Sequence, residues 1–193
     1  MFAAVREAHD RLGGLDVVVN NAGYGVSGAI QELTEEQARR QIEVNLFGAL
    51  WVTQAALPLL RKQGSGWIVQ VSSIGGLAAF PLTGIYHASK GAWRASPRRC
   101  GRSSSRSGSR TDGRAERFSD RLGGIVHGPR RAHRCLPGDR DDRQALLETL
   151  DRDDPPFRLL LGNVAYDVAV DRYQSRLEGF RAGERVARGA DDR

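Results

Sequence analysis

Two short apolar runs constrain what this chain can fold into. Leu15-Asp16-Val17-Val18-Val19 and Trp67-Ile68-Val69-Gln70-Val71 are dense in β-branched residues, and small or polar residues close each of them: Asn20-Asn21-Ala22-Gly23 and Ser72-Ser73. Such runs, without the alternation of a strand wetted on one face, suit a parallel sheet covered on both sides. Between them Thr34 and Gln37 make a capping-box pattern. The helix they open is expected to run to about Lys62, with Pro58 kinking or breaking its last turns. Ahead of the first run, Phe2, Val5, Ala8 and Leu12 follow helical spacing until Gly13-Gly14. After the second, a glycine-rich loop leads to a helix near Tyr86. Strands alternating with helices imply βαβ units, so the expected class is α/β with a doubly wound parallel sheet.

Charge divides the chain into three pieces. The net charge is +6 over 193 residues, yet residues 1–93 balance, and residues 94–143 hold 14 arginines against 6 acids. The large apolar residues of that middle piece are Phe118, Leu122, Ile125, Val126 and Leu136, too few to repay the entropy of ordering it. It reads as a disordered basic segment centred on Arg102-Ser103-Ser104-Ser105-Arg106. A basic arm of this kind can bind nucleic acid through phosphates, but it lacks the interleaved aromatics of a stacking surface, so nucleic acid is the weaker alternative. Cys100, His127, His133 and Cys135 have poor spacing for zinc, and no metal site is expected. There is no signal-peptide pattern and no apolar run near 18 residues. A cytoplasmic protein with no membrane partner is the expectation.

Several residues carry candidate chemistry. Tyr86-His87-Ala88-Ser89-Lys90 puts a phenol and an ammonium four residues apart, hence on one helix face. A neighbouring cation favours phenolate, which makes Tyr86 a candidate proton donor or acceptor at a carbonyl or alcohol. Ser73 falls at the carboxyl end of the second strand, where open α/β sheets bind ligands. Asn45 sits inside the long helix, a poor place for asparagine unless something holds it. His87 lies one residue off the Tyr86–Lys90 face and reads as non-catalytic. Gly23-Tyr24-Gly25-Val26-Ser27-Gly28 matches the G-x-G-x-x-G pattern, but the next helix signal is Thr34, so a plain loop is the better reading.

Taken in order, N-N-A-G, V-N-L-F-G, V-S-S-I-G-G and Y-H-A-S-K resemble the short-chain dehydrogenase/reductase family across about the first 93 residues. The stretch G-G-L-A-A-F-P-L-T-G-I-Y is most similar to members acting on hydroxysteroid- or retinol-like alcohols. The resemblance implies an NAD or NADP cofactor and the interconversion of a small-molecule alcohol and a carbonyl compound. It makes Tyr86 the acid/base, with Lys90 lowering the tyrosine pKa and bonding the nicotinamide ribose. Ser73 would orient the substrate oxygen, Asn45 would complete a proton relay, and Asn21 would contact the cofactor region. The domain so implied is a partial dinucleotide-binding unit, 1–93, completed by a C-terminal strand and helix in 144–193.

Two departures from the family pattern set further expectations. The family opens with a strand and a T-G-x-x-x-G-x-G turn that cradles the cofactor phosphates, and this sequence starts at the helix after the third strand. The first three strands are then lacking, the strand at Leu15 has a bare edge, and activity is expected to be weak or absent. Family-like sequence also stops after Ala92 or Trp93 and resumes near Pro137-Gly138-Asp139. The Arg/Ser/Gly/Pro composition between, about 94–136, is what a GC-rich gene read out of frame would give, and the strand next to the active site is expected to be lost there. Beyond it, Tyr166, Val170, Tyr173, Leu177 and Phe180 share one apolar helix face. The remaining alternative is a non-enzymatic partner, a homo-oligomer or an associate of an intact paralogue, pairing through the helix at 34–62 and its neighbour from Tyr86.

Overall fold

Both apolar runs form strands, and they pair in parallel. The computed structural model describes residues 1–93, 122–127, 140–152, 156 and 158–189. Helix α1 (Phe2–Leu12) leads into β1 (Val17–Asn20), then α2 (Glu35–Ile42), a π-helical turn (Glu43–Gly48) and α3 (Ala49–Gln63). Strand β2 (Trp67–Val71), a 3-10 turn (Ile74–Gly76) and α4 (Gly84–Ala92) follow. The rest is β3 (Leu122–His127), α5 (Arg140–Leu150), β4 (Arg158–Leu161), α6 (Asn163–Ala182) and α7 (Glu184–Arg188). The sheet is parallel throughout in the order β1-β2-β3-β4. It is a partial Rossmann-like sheet, as the alternation of elements implies.

Local chemistry accounts for the helix ends. Thr34 and Gln37 form the reciprocal capping box that their spacing predicts. Gly13 and Gly64, at φ 73° and 78°, end α1 and α3 in the left-handed conformation that glycine adopts without cost. Pro58 does not end the long helix, which continues to Gln63. Buried Ala55, Ala56 and Leu60 hold that last stretch against the sheet, and packing outweighs the hydrogen bond that proline cannot make.

The core forms on both faces of β2. Ile68 packs with Leu15, Ala56 and Leu60, flanked by Val5, Ala8 and Val18. Val69, on the opposite face, packs with Leu146 and Leu161. A third cluster joins Ile74 and Leu77 to Ala169 of α6. From Glu35 to Gln63 the helix is long and apolar enough, by length and composition alone, to cross a membrane. Here it is a layer of the α/β fold, opened by Glu35, Glu36, Arg39 and Arg40 and carrying buried Gln41, Asn45 and Thr53.

Four expectations are corrected. Strand β1 is not covered on both faces: Val18 packs inward, whereas Val17 and Val19 are each 36 % exposed, because side chains alternate along a strand and these two point to the face opposite the packed one. A strand does stand beside β2. Leu122-Gly123-Gly124-Ile125-Val126-His127 pairs with both β2 and β4, since the β-branched pair and a parallel neighbour on each side suffice for a short strand. The aromatic stripe of α6 is solvent-facing, with Tyr166 59 % and Phe180 74 % exposed, while Ala165 and Ala169 are buried. Small side chains let the helix backbone approach the Ile74–Leu77 cluster closely. Arg140–Arg143, the end of the segment expected to be disordered, open α5 instead; the rest of that segment, with Cys100, His133 and Cys135, lies outside the described residues, as do the side chain of His127 and most of the stretch read as out of frame.

Candidate active site

The carboxyl ends of β1 and β2 gather the residues singled out by the sequence. Ser73 follows β2 and opens the 3-10 turn, its Oγ accepting from the Gly75 amide at 3.1 Å. Helix α4 places Tyr86 and Lys90 one turn apart. Lys90 is 6 % exposed, and its Nζ donates to the Val71 carbonyl at 3.2 Å and stands 6.0 Å from the centroid of the Tyr86 ring. The ammonium is thus fixed at the end of β2, beside the phenol.

Asn45 explains its own place in the helix. Its Oδ1 accepts from the Tyr24 amide at 3.0 Å, and its Nδ2 donates to the Tyr24 carbonyl at 2.8 Å. The same Nδ2 reaches Ser89 Oγ at 2.9 Å, and Ser89 donates to the Tyr86 carbonyl at 2.7 Å. The π-helical turn carries this residue; such turns interrupt helices frequently at functional sites. Asn45 therefore clamps the loop after β1 to the helix that bears the phenol. Asn21, the residue after β1, is partly buried.

Glycines make the close approach possible. A Cβ on Gly23 would stand 3.1 Å from both Asn45 Oδ1 and Lys90 Nζ, and one on Gly25 would meet Tyr86 Cδ2 at 3.3 Å. On the other edge of the ring, a Cβ on Gly75 would lie 3.1 Å from Tyr86 Cε1. The phenol is held between the β1 loop and the Ser73 turn. The G-x-G-x-x-G match serves this packing: α2 starts only at Glu35, so Gly28 opens no helix.

Sequence reasoning missed several residues. Trp93, 7 % exposed, donates its indole N–H to the Asn45 carbonyl at 3.0 Å, closing the far end of α4 onto the π-helical turn. Thr53 Oγ1 accepts from Asn20 Nδ2 at 3.0 Å and from Gln70 Nε2 at 2.9 Å, and donates to the Ala49 carbonyl at 2.8 Å. This buried node ties both strand ends to α3. Gln41 Oε1 accepts from the Val26 amide at 2.6 Å, and its buried Nε2 has no partner among the described residues. The only signal for these was polar residues set inside apolar runs, which does not say what they bond.

A family model described as short chain dehydrogenase matches residues 1–107. The chain belongs to the short-chain dehydrogenase family. It is 43 % identical over 92 residues to oxidoreductase BOA17 of Botryotinia fuckeliana, which covers 48 % of this chain and 34 % of that protein. It is 42 % identical over 87 residues to a 3-ketodihydrosphingosine reductase of Bacteroides thetaiotaomicron, covering 45 % and 32 %. Among solved structures, a short-chain dehydrogenase from Streptomyces avermitilis superposes with a TM-score of 0.82 at 25 % identity, over 97 % of this chain and 75 % of that one. The chain spans about a third of the length of the curated relatives it matches.

Short-chain dehydrogenase chemistry calls for a nicotinamide dinucleotide, and the residues present fit one end of it. Lys90, Tyr86 and the glycine cradle at Gly23 offer an ammonium, a hydroxyl and close backbone approach at the sheet's carboxyl end. A pyrophosphate is held by a glycine-rich turn that opens a helix, and among the described residues Gly23–Gly28 does not supply it. Nor do the described residues hold a cluster of metal-binding side chains.

Proposed function

We propose that this short-chain dehydrogenase interconverts an alcohol and a carbonyl compound with NAD or NADP. The observation that carries the reading is the fixed ammonium of Lys90 beside Tyr86, one turn apart on α4 and next to the Ser73 turn. A bound nicotinamide supplies or accepts the hydride. Tyr86 gives a proton to the carbonyl oxygen, or takes one from the alcohol. Ser73 Oγ already accepts from the Gly75 amide, so its own proton is left to donate to the substrate oxygen. Lys90 holds its positive charge next to the phenol and would contact the cofactor ribose. Asn45 pins the β1 loop through Tyr24, and Asn21, at the start of that loop, would contact the cofactor.

The substrate class is an apolar alcohol or ketone of hydroxysteroid- or retinol-like bulk. Tyr24 and Ile30 on the β1 loop and Phe80 and Leu82 on the loop before α4 are all exposed, and Gly28 N–H to Leu82 O at 2.9 Å ties the two loops together. The resulting apolar rim suits a substrate that leaves water on binding. Turnover by the described residues is slow, because hydride transfer depends on orientation and among them no glycine-rich turn opens a helix for the cofactor phosphates. The arginine-rich composition on either side of β3, within 94–136, comes from a shifted frame; the other two forward frames of its gene should encode an amphipathic helix there, and if neither does, that part fails.

The test is titration with NADH and NADPH, read by quenching of reduced-nicotinamide fluorescence, followed by cofactor reduction against a panel of secondary alcohols. The expected result is saturable binding of one cofactor and slow alcohol-dependent reduction, which Tyr86→Phe lowers about 100-fold or more while binding persists. Flat titrations with both cofactors and no reduction overturn the assignment. A second reading, self-association, is favoured by Phe47 and Trp51. They stack at 6.1 Å between ring centroids on the long helix and stay 37 % and 36 % exposed, and Phe47 lines one surface groove with Ile85 of α4.

A further inference from the structure

We propose that His87, the neighbour of the proton-transferring phenol, is a positioning residue that holds the Ser73 turn and the loop after it against Tyr86. Its role in turnover rests on the assignment of Tyr86 and Ser73 given above; its role in holding the loop rests on geometry alone. Placed off the Tyr86–Lys90 face, the imidazole turns toward residues 74–83. Its Nδ1 lies 2.8 Å from the Gly75 carbonyl oxygen. Its Nε2 lies 2.8 Å from the Phe80 amide nitrogen and 2.6 Å from Thr83 Oγ1.

The main chain dictates which tautomer fits. A carbonyl oxygen can only accept and a backbone amide can only donate. The neutral ring with its proton on Nδ1 satisfies both of these short contacts, and the Phe80 carbonyl, 3.3 Å from Nε2, takes the Thr83 hydroxyl at 3.1 Å instead. The opposite tautomer sets a lone pair against the carbonyl and N–H against N–H. One ring therefore links both ends of the loop to α4.

The connection to Ser73 is direct. Gly75, whose carbonyl accepts from His87, uses its amide to donate to Ser73 Oγ. There is no room for a side chain between these groups: a Cβ on Gly75 would stand 2.7 Å from His87 Nδ1 and 3.1 Å from Tyr86 Cε1. At the far end the Phe80 ring tilts against the imidazole at 5.6 Å and 48°. The loop needs such a hold, because Leu82 sits at φ 63°, a left-handed conformation that a leucine keeps only when its surroundings impose it. Without the imidazole, the Phe80 amide and the Gly75 carbonyl lose the partners that set the turn.

The test compares wild type, His87→Phe and His87→Gln in the full chain by amide hydrogen exchange, thermal melting and steady-state kinetics. Phenylalanine keeps the ring contact with Phe80 and removes both main-chain hydrogen bonds and the contact with Thr83 Oγ1; glutamine restores an acceptor near the Phe80 amide. The expected result for His87→Phe is exchange at least tenfold faster across residues 74–83, unchanged exchange across 84–92, and a melting midpoint within a few degrees of wild type. His87→Gln should recover part of the protection. The alcohol kcat should fall about tenfold in His87→Phe, with the KM for the cofactor unchanged. Unchanged exchange across 74–83 overturns the proposal, and so does a loosened loop with undiminished kcat. If His87→Phe does not fold, exchange in His87→Gln decides: intermediate protection of the loop supports the proposal and wild-type protection overturns it. If wild type itself shows no turnover, the oxidoreductase reading fails, while the exchange measurement still decides the loop-holding role.

Discussion

Replacing Thr53 with valine should cost far more stability than its isosteric shape suggests. The Thr53 side chain is buried, at 4 % exposure, and its Oγ1 is the acceptor for Asn20 Nδ2 and Gln70 Nε2. Valine fills the same volume and accepts nothing. Asn20 keeps a long contact to the Ala49 carbonyl at 3.4 Å, so the Gln70 amide is the group stranded outright. A stranded buried donor costs about 1–3 kcal/mol, and the weakened Asn20 bond adds about 0.5–1.5 kcal/mol. The added methyl returns at most about 0.8 kcal/mol. The net expectation for Thr53→Val is a loss of about 2–3 kcal/mol, a large share of the roughly 5–15 kcal/mol that holds a domain together. Urea unfolding followed by far-ultraviolet circular dichroism measures it, as a fall in midpoint with unchanged slope. Adding Gln70→Leu to Thr53→Val should recover part of the loss, because no donor is then left behind. A Thr53→Val change below about 0.5 kcal/mol, or a double variant worse than the sum of the singles, would refute the claim that this node carries stability.

Other outcomes follow from the same packing. Gly75→Ala should destabilise by about 1–3 kcal/mol through overpacking, read by the same unfolding curves, since its Cβ would meet the pinned His87 ring at 2.7 Å. Ala169→Leu should cost about 1–3 kcal/mol, whereas Phe180→Ser should stay within about 0.5 kcal/mol, because Ala169 is 3 % and Phe180 74 % exposed. Light scattering after size exclusion should find an oligomer that Phe47→Glu with Trp51→Glu dissociates; a wild-type monomer at micromolar concentration removes the self-association reading.

Much of this fold was legible because it depends on short-range rules. The capping box at Thr34 needs only Gln37 three residues on. Tyr86 and Lys90 share a face by helical period, and the structure puts Lys90 Nζ beside the phenol. An asparagine inside a helix points to an outside partner, and the bonds of Asn45 to Tyr24 and Ser89 supply it. The same periodicity turns His87 away from the site and reads it as non-catalytic. Periodicity gives a direction around the helix, and cannot say that the 74–83 loop comes back to meet it.

From the sequence alone came the alternation of strands and helices, the parallel sheet and the Tyr86–Lys90 pair, since hydrophobic period and side-chain spacing act over a few residues. Tertiary structure alone decided that Ala165 and Ala169, rather than the aromatic stripe, face the core, and that Leu122–His127 pairs between β2 and β4. It also decided that Thr53 and His87 are nodes joining distant segments. Burial and hydrogen-bond partnership depend on which surfaces meet, and an apolar stripe or a lone imidazole fits several partners until the chain has closed around one.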